Sequence, residues 1–553
     1  MCDISHTSGI GALLHIAVVR ATIVAVAASD RLTGLDSAFL HLERDSAHMH
    51  VASCMIFEGE PPGYDDFVAH LSGRLHLVPR YRQKLAFVPL SQGRPRWVDD
   101  PHFQPQFHVR HTALPSPGGE QELKALCGRV FAQELDRSKP LWEIWLVEGL
   151  RRGGFALLAK THHCLVDGVS GVDITTVLFD AAPDPAPVPA PATPWLPRPE
   201  PSPMQLLGEA LVERATLPRE IVRGARALVR GPRQVAGALR DNLVAAGAFT
   251  WAGFNGAPPT PLNVPIGPHR RFAWVNADLE RFKAIKNALG GTINDVVLSA
   301  VTLALGAFLR DRGHDTEELV LKAMVPVSVR ADAERGALGN RVAAMWAPLP
   351  VYEHDAGACF AFIHEAMAGL KDSGQAVGAQ VITELTGFAP PTIMAQAARL
   401  QVRQRFFNLT VTNIPGPQTD LYLMGSRLQA IEPMVPLAKN TALGIAILSY
   451  AGTLGFGLVS DLDAVPDVDL VAAHLKDAID ALAAAAGVPQ QPSRGGATRS
   501  ATSAPSTAAT APGNGGAATG VPSETPEPLH PQRLSSHRRR RPGTRPAGAA
   551  PRN

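Results

Sequence analysis

Apolar positions along this chain switch between two periods. Compact apolar runs bounded by turn residues predict strands, and stripes recurring every three to four residues predict helices. Residues 154–159 (Gly-Phe-Ala-Leu-Leu-Ala) form such a run and predict a buried strand. Just beyond, residues 169–179 predict an amphipathic helix with Val172, Ile174, Val177 and Leu178 on its buried side. Residues 64–77 and 120–135 also predict helices, the second striped by Leu123, Cys127, Val130 and Phe131. A second mixed region follows. Residues 279–289 and 293–312 predict helices, and 319–327 and 341–349 predict strands. Residues 442–450 and 454–460 predict a hairpin turning at Ala451-Gly452-Thr453, and 468–486 predict a closing helix.

Breaks in composition divide these elements. Residues 181–191 carry proline at every second position from Pro183 to Pro191, too densely for helix or strand. Residues 203–249 predict a helical connector rich in Ala, Leu and Arg. Its cations (Arg214, Arg219, Arg223, Arg226, Arg230, Arg233) suit a solvated face, or contact with anionic lipid or the phosphates of CoA. After Gly487 the chain is Pro, Ala, Ser, Thr and Gly with almost no large apolar residue, which predicts a disordered tail. The expected organisation is a 1–29 extension, a 30–180 α/β half, a 181–259 linker and connector, a 260–486 α/β half, and a 487–553 tail. The apolar stretch 11–28 is broken by His15 and Arg20. An arginine at the middle of a membrane span costs about 2.5–3.5 kcal/mol. The stretch also lacks the basic start of a secretory signal, so a dispensable extension is expected rather than an anchor. No later segment is expected to hold an apolar run long enough to span a bilayer.

A chain of 553 residues exceeds one ordinary core, so at least two domains are expected. Hydrophobic residues at 45% and charged residues at 18% fit an apolar globular enzyme. A net charge of +2 and the lack of a recurring basic–aromatic pattern argue against a nucleic-acid partner. The charge is uneven. From residue 489 onward nine arginines face only Glu524 and Glu527, leaving that segment near +7 and the remainder near −5. Such a tail is either inert or holds an anionic membrane or lipid-droplet surface, at ~1 kcal/mol per basic residue. The five cysteines are scattered and odd in number, which suits a reducing, cytoplasmic setting.

The chemistry concentrates in Lys160-Thr161-His162-His163-Cys164-Leu165-Val166-Asp167-Gly168. Two adjacent histidines end the 154–159 strand, and Gly168 lets the backbone bend toward the next helix. Neighbouring strand residues face opposite ways, so one histidine faces a cleft and the other packs or holds structure. A histidine there can serve as a general base near neutral pH. Asp167, past the bend, can hold the turn or orient an imidazole. No Cys-x-x-Cys or His-Glu-x-x-His spacing points to a metal, and none is expected. Cys164 follows the histidines and reads as a small buried side chain.

His-His-x-x-x-Asp-Gly resembles the signature of the CoA-dependent acyltransferase superfamily. Other stretches narrow the resemblance: Leu32-Thr33-Gly34-Leu35-Asp36-Ser37-Ala38-Phe39-Leu40, then Met49 to Gly59, then Leu135-Asp136-Arg137-Ser138-Lys139-Pro140-Leu141-Trp142-Glu143. Further along come Thr292-Ile293-Asn294-Asp295-Val296-Val297-Leu298, Val325-Pro326-Val327-Ser328-Val329-Arg330, Asn408 to Pro417, and Gly457-Leu458-Val459-Ser460-Asp461. In this order they resemble the bacterial wax ester synthase/diacylglycerol acyltransferase family over about residues 31–485. That resemblance implies an α/β fold of two chloramphenicol-acetyltransferase-like halves, a pseudo-dimer around one active-site tunnel. It implies acyl transfer from acyl-CoA to diacylglycerol or a long-chain alcohol, with no cofactor. It also implies His163 as general base, His162 as support, Asp167 as a structural residue paired with Arg330, Gly168 at the turn, and Asn294 and Asp295 as supporting residues. Two other readings stand beside it. A condensation-type acyltransferase would use carrier-protein thioesters, but the chain contains no adjacent carrier domain with a modified serine. A silent lipid-droplet binding protein would not need intact His163, Asp167 and Gly168.

Overall fold

A computed structural model describes residues 31–489 apart from 44, 152, 166–176, 192, 212–255, 329–341 and 373–405. The expected extension, most of the 169–179 helix, the connector beyond residue 211 and the tail therefore lie outside the described residues, as do Asp167, Gly168 and Arg330.

Two six-stranded sheets organise the described chain, and both belong to one compact unit. The first contains β1 (His50–Phe57), β4 (Val109–Ala113), β5 (Trp142–Glu148) and β6 (Phe155–His162). A small hairpin, β2 (Gln83–Ala86) and β3 (Arg96–Asp99), stands apart from it. The second sheet contains β7 (Arg270–Asp278), β8 (Val320–Ser328), β9 (Val342–Pro350), β10 (Leu409–Pro415), β13 (Leu443–Tyr450) and β14 (Thr453–Asp461), in the order β7-β14-β13-β10-β8-β9.

Sheet membership does not follow chain order. β11 (Tyr422–Leu423) and β12 (Ser426–Met434) come from the second half yet complete the first sheet, whose order is β11-β12-β1-β6-β5-β4. β12 runs antiparallel to β1, with Cys54 opposite Glu432 and Met55 opposite Ile431. Where β14 crosses β12 the backbones nearly touch. A Cβ on Gly457 would stand 1.7 Å from the Pro433 carbonyl oxygen. This packing accounts for the glycine in the Gly457-to-Asp461 motif. Gly457→Ala is expected to destabilise the fold by about 1–3 kcal/mol through overpacking between the halves. Urea denaturation measures it, and an unchanged midpoint would mean that the crossing strands separate easily.

The helices follow from ordinary capping and apolar stripes. α1 (Gly34–Leu42) starts at Thr33, whose hydroxyl accepts the Asp36 N–H. α2 (Tyr64–Arg74) and α3 (Glu120–Phe131) cover the first half, and both stop short of the expected helix ends. α4 (Leu279–Leu289) ends at Gly290, whose left-handed φ of 81° closes it. α5 (Ile293–Asp311), α6 (Ala356–Asp372) and α7 (Val468–Ala485) pack with the second sheet into the largest apolar core. α5 alone among the described helices is long and apolar enough to cross a membrane, contrary to the expectation from sequence, but 78% of its apolar window is buried in the fold. Its polar Ser299 and Thr302 hydroxyls are satisfied by donating to carbonyls one turn back, each at 2.7 Å. The proline-rich stretch 181–191 is irregular, as expected.

β6 is buried along its whole length, including Lys160, Thr161 and His162. The sequence pattern ended this strand at Ala159, where polar residues begin. Lys160 stays inside because Nζ donates to the carbonyls of Val130 and Gln133, at 3.1 and 3.0 Å, near the end of α3. That contact carries the strand up to the histidines.

Candidate active site

Pairing fixes the position of the histidine pair. His162 lies opposite His50 across the β6–β1 ladder, and the His163 N–H donates to the Met49 carbonyl at 2.8 Å. The chain then turns, with the Leu165 N–H donating to the His162 carbonyl at 2.9 Å.

The two imidazoles have different surroundings. His162 is buried. Its Nδ1 accepts the Cys164 backbone N–H at 3.1 Å, so the ring proton sits on Nε2, which donates to Glu43 Oε2 at 2.7 Å. His163 is partly exposed, and its ring stacks on Phe39 of α1 at 4.0 Å between centroids and 23° between planes. Its Nδ1 is buried and reached by no other described side chain. Nε2 is therefore the ring nitrogen open to a substrate. Burial pushes the His163 pKa down to about 4; interaction with its own backbone raises it slightly, and the neighbouring His162 lowers it. At neutral pH the ring is uncharged and holds a lone pair. Cys164 is buried, and burial holds its thiol well above its usual range, so it is no thiolate nucleophile.

Glu43 organises the buried side of the pair. It follows α1 as the C-cap residue and is itself buried. Oε2 accepts from His162 and, at 2.9 Å, from Arg137 Nη2. Oε1 faces His50 Nε2 at 3.3 Å and His48 Nδ1 at 3.5 Å. Burial alone would raise its carboxyl pKa, but hydrogen bonds from His162, His48 and His50 outweigh it and hold the group well below the usual carboxylate range. His50 is pushed down to about 3, chiefly by burial. Glu43, His48 and His50 place three possible ligand atoms within 4.8 Å of one another, a convergence the sequence did not indicate. The hydrogen bonds already satisfy the carboxylate, and the Arg137 guanidinium beside it opposes a second cation.

The remaining expected site residues fall elsewhere. Asp295 is buried at the start of α5, where Oδ2 accepts the Thr292 N–H at 2.9 Å and faces His364 Nδ1 at 2.9 Å. This is a capping role within the second half. Asn294 is half-buried on the same first turn, and no described contact joins either residue to the histidine pair. Sequence reasoning missed Glu43, His48 and the part played by Phe39. A signal existed: the Phe39, His50 and Arg137 segments all belong to separate motifs of the resemblance, and the fold gathers them around His162 and His163.

The description "Wax ester synthase/diacylglycerol acyltransferase catalytic domain" matches residues 32–297, and "WS/DGAT C-terminal domain" matches 338–483. A Mycobacterium tuberculosis protein provisionally named a diacylglycerol O-acyltransferase is 35% identical, over 82% of this chain and 90% of its own. The chain belongs to the wax ester synthase/diacylglycerol acyltransferase family. It is an O-acyltransferase. A second M. tuberculosis protein, likewise named diacylglycerol O-acyltransferase, is 31% identical over 82% of this chain and 96% of its own. The solved wax ester synthase/diacylglycerol acyltransferase of Marinobacter aquaeolei VT8 superposes with a TM-score of 0.58 at 28% identity, covering 83% of this chain and all of that one. The first condensation domain of the calcium-dependent antibiotic synthetase shares the fold alone, at 18% identity and a TM-score of 0.50 over 83% of this chain and 97% of its own.

Proposed function

We propose that this acyltransferase moves an acyl group from acyl-CoA to the hydroxyl of a diacylglycerol or long-chain alcohol, giving triacylglycerol or wax ester and free CoA. The observation that carries the reading is the neutral, partly exposed His163 with Nε2 open and the opposite ring nitrogen buried. Nε2 takes the hydroxyl proton as the oxygen attacks the thioester carbonyl. The tetrahedral intermediate expels the CoA thiolate, which takes the proton back from the imidazolium. Labelled acyl-CoA offered with dioleoylglycerol or hexadecanol tests the reaction; no ester product from either would overturn it. By the family resemblance, Asp167 and Arg330 pair to hold the turn after His163. The chain acts in the cytoplasm, with its basic tail holding anionic membrane or droplet surfaces, and needs no cofactor.

The depressed His163 pKa sets the acid limb of the reaction. In the free enzyme the base is lost only as pH falls toward about 4, not near the ordinary histidine value of 6.5. kcat/KM is therefore expected to hold through mildly acidic pH and to drop toward pH 4 with a single protonation. A limb centred near 6.5 would mean that the base in the free enzyme is better solvated than the site indicates.

A further inference from the structure

The strand that crosses from the second half carries an acid into the join between the halves. Glu432 lies near the end of β12 and is 0% exposed. Its side chain reaches the second sheet, where Oε1 accepts from Asn276 Nδ2 of β7 at 2.7 Å. Asn276 stands opposite Gly455 in the β7–β14 ladder. A Cβ on Gly455 would lie 3.3 Å from Glu432 Oε2, so the missing side chain leaves the seat in which the carboxyl rests.

That seat offers little to a negative charge. Oε2 has no hydrogen-bond partner among the described residues, and the donor to Oε1 is a neutral amide. Opposite Glu432 on β1 stands Cys54, whose thiol is held well above its usual range by Cys127 and by burial. From α3, Lys124 favours ionisation and Glu120 opposes it, and Lys124 Nζ is already engaged by Glu120 at 2.9 Å and by Asp469 of α7 at 3.1 Å. On β12 itself Arg427 is taken by Glu58, and the Tyr450 hydroxyl of β13 donates to the Leu428 carbonyl. β14 brings Gly455 and Gly457 to the crossing.

A carboxylate buried without a counter-ion is costly, and the group avoids that cost by keeping its proton. Burial pushes the Glu432 pKa up to about 8, and the Asn276 hydrogen bond offsets only part of that rise. We propose that Glu432 is a proton-controlled fastener between the halves: while neutral it seats β12 against β7 and β14, and on ionising it loosens that crossing. The acyl transfer does not use this residue and the test needs no substrate, so its failure would leave the acyl-transfer reading standing.

The folded value lies above the usual 4.5, so between the two the folded chain holds a proton that the unfolded chain has lost. The stability this brings is whole below about 4.5 and is lost as pH rises through about 8. Glu432→Gln keeps the shape and the neutral state without the titration. Urea unfolding of the full-length parent and variant is compared from pH 6 to 9. The parent's unfolding constant is expected to climb, relative to the variant's, by about tenfold per pH unit below 8 and to level off above it. Cys54 reports on the crossing itself, because it shares an apolar cluster with Trp274 of β7 and Val459 of β14. Its labelling by a thiol reagent, located by mass, is expected to speed up by about tenfold between pH 7 and 9 in the parent relative to the variant. Equal pH dependence of unfolding in both proteins would overturn the inference. So would a difference in unfolding with identical Cys54 labelling, because the proton would then act on the whole fold and not on the crossing. If the variant does not fold, infrared spectra of the parent decide. A protonated carboxyl band is expected at pH 7 and largely gone by pH 9, and its absence at pH 7 would overturn the inference.

Discussion

Replacing His163 with alanine is expected to lower kcat by roughly 10²–10⁴-fold while the protein stays folded, because the ring supplies a neutral base at the site. The ring is partly exposed and stacks on Phe39, and no described side chain depends on it for a hydrogen bond. His162→Ala should behave in the opposite sense. It withdraws the Nε2 donor from buried Glu43 and the Nδ1 acceptor from the Cys164 amide, and so lowers stability more than turnover. Circular dichroism melts and single-turnover acyl transfer on both variants separate the two effects. A folded His163→Ala protein with parental turnover would remove this histidine from the chemistry.

Glu43→Gln carries the second large effect. The carboxylate is buried and held by Arg137, His162, His50 and His48. Taking away its charge removes the charged acceptor of the buried His162 N–H and the counter-ion of the partly exposed Arg137, and losing hydrogen bonds to a charged group costs about 1.5–3 kcal/mol. The sign of its pH dependence follows from the depressed folded-state pKa. The stabilisation is fully present above the unfolded value near 4.5 and is lost as pH falls below it. The parent should therefore lose stability steeply below about pH 4.5, and the variant should start lower with a shallower acid slope. Turnover should fall as well, because His162 pins the turn that carries His163. Urea midpoints between pH 3 and 7 check the slope; parallel curves would show that the Glu43 carboxyl of the parent titrates alike in the folded and unfolded chain.

The periodic elements were readable where local signals agreed. α4 starts and stops where the pattern placed it, because Asp278 caps one end and Gly290 the other. Reading failed where a partner distant in sequence decides the outcome. β6 runs on through Lys160 only because α3 presents carbonyls to its ammonium group. The helix expected over 120–135 ends at Phe131, and the one over 64–77 gives way to a tighter turn at Leu75–Leu77. The histidine pair stood out in the sequence, but Glu43 did not. It lies 119 residues before His162, and only the packing of α1 against the β1–β6 pair makes it a partner. Nor does anything local in Ser426–Met434 say that this strand belongs to the other half's sheet.

The loan of that strand has a consequence for synthesis. The ribosome delivers β1, β4, β5 and β6 long before β12 emerges. Until residue 434 leaves the exit tunnel, β1 waits with one row of backbone donors and acceptors open, the kind of edge that recruits strands from other chains. The nascent first half is thus the vulnerable species. Slow translation between residues 162 and 434 would prolong its exposure, and the histidine site would form on a sheet that closes only near the end of translation.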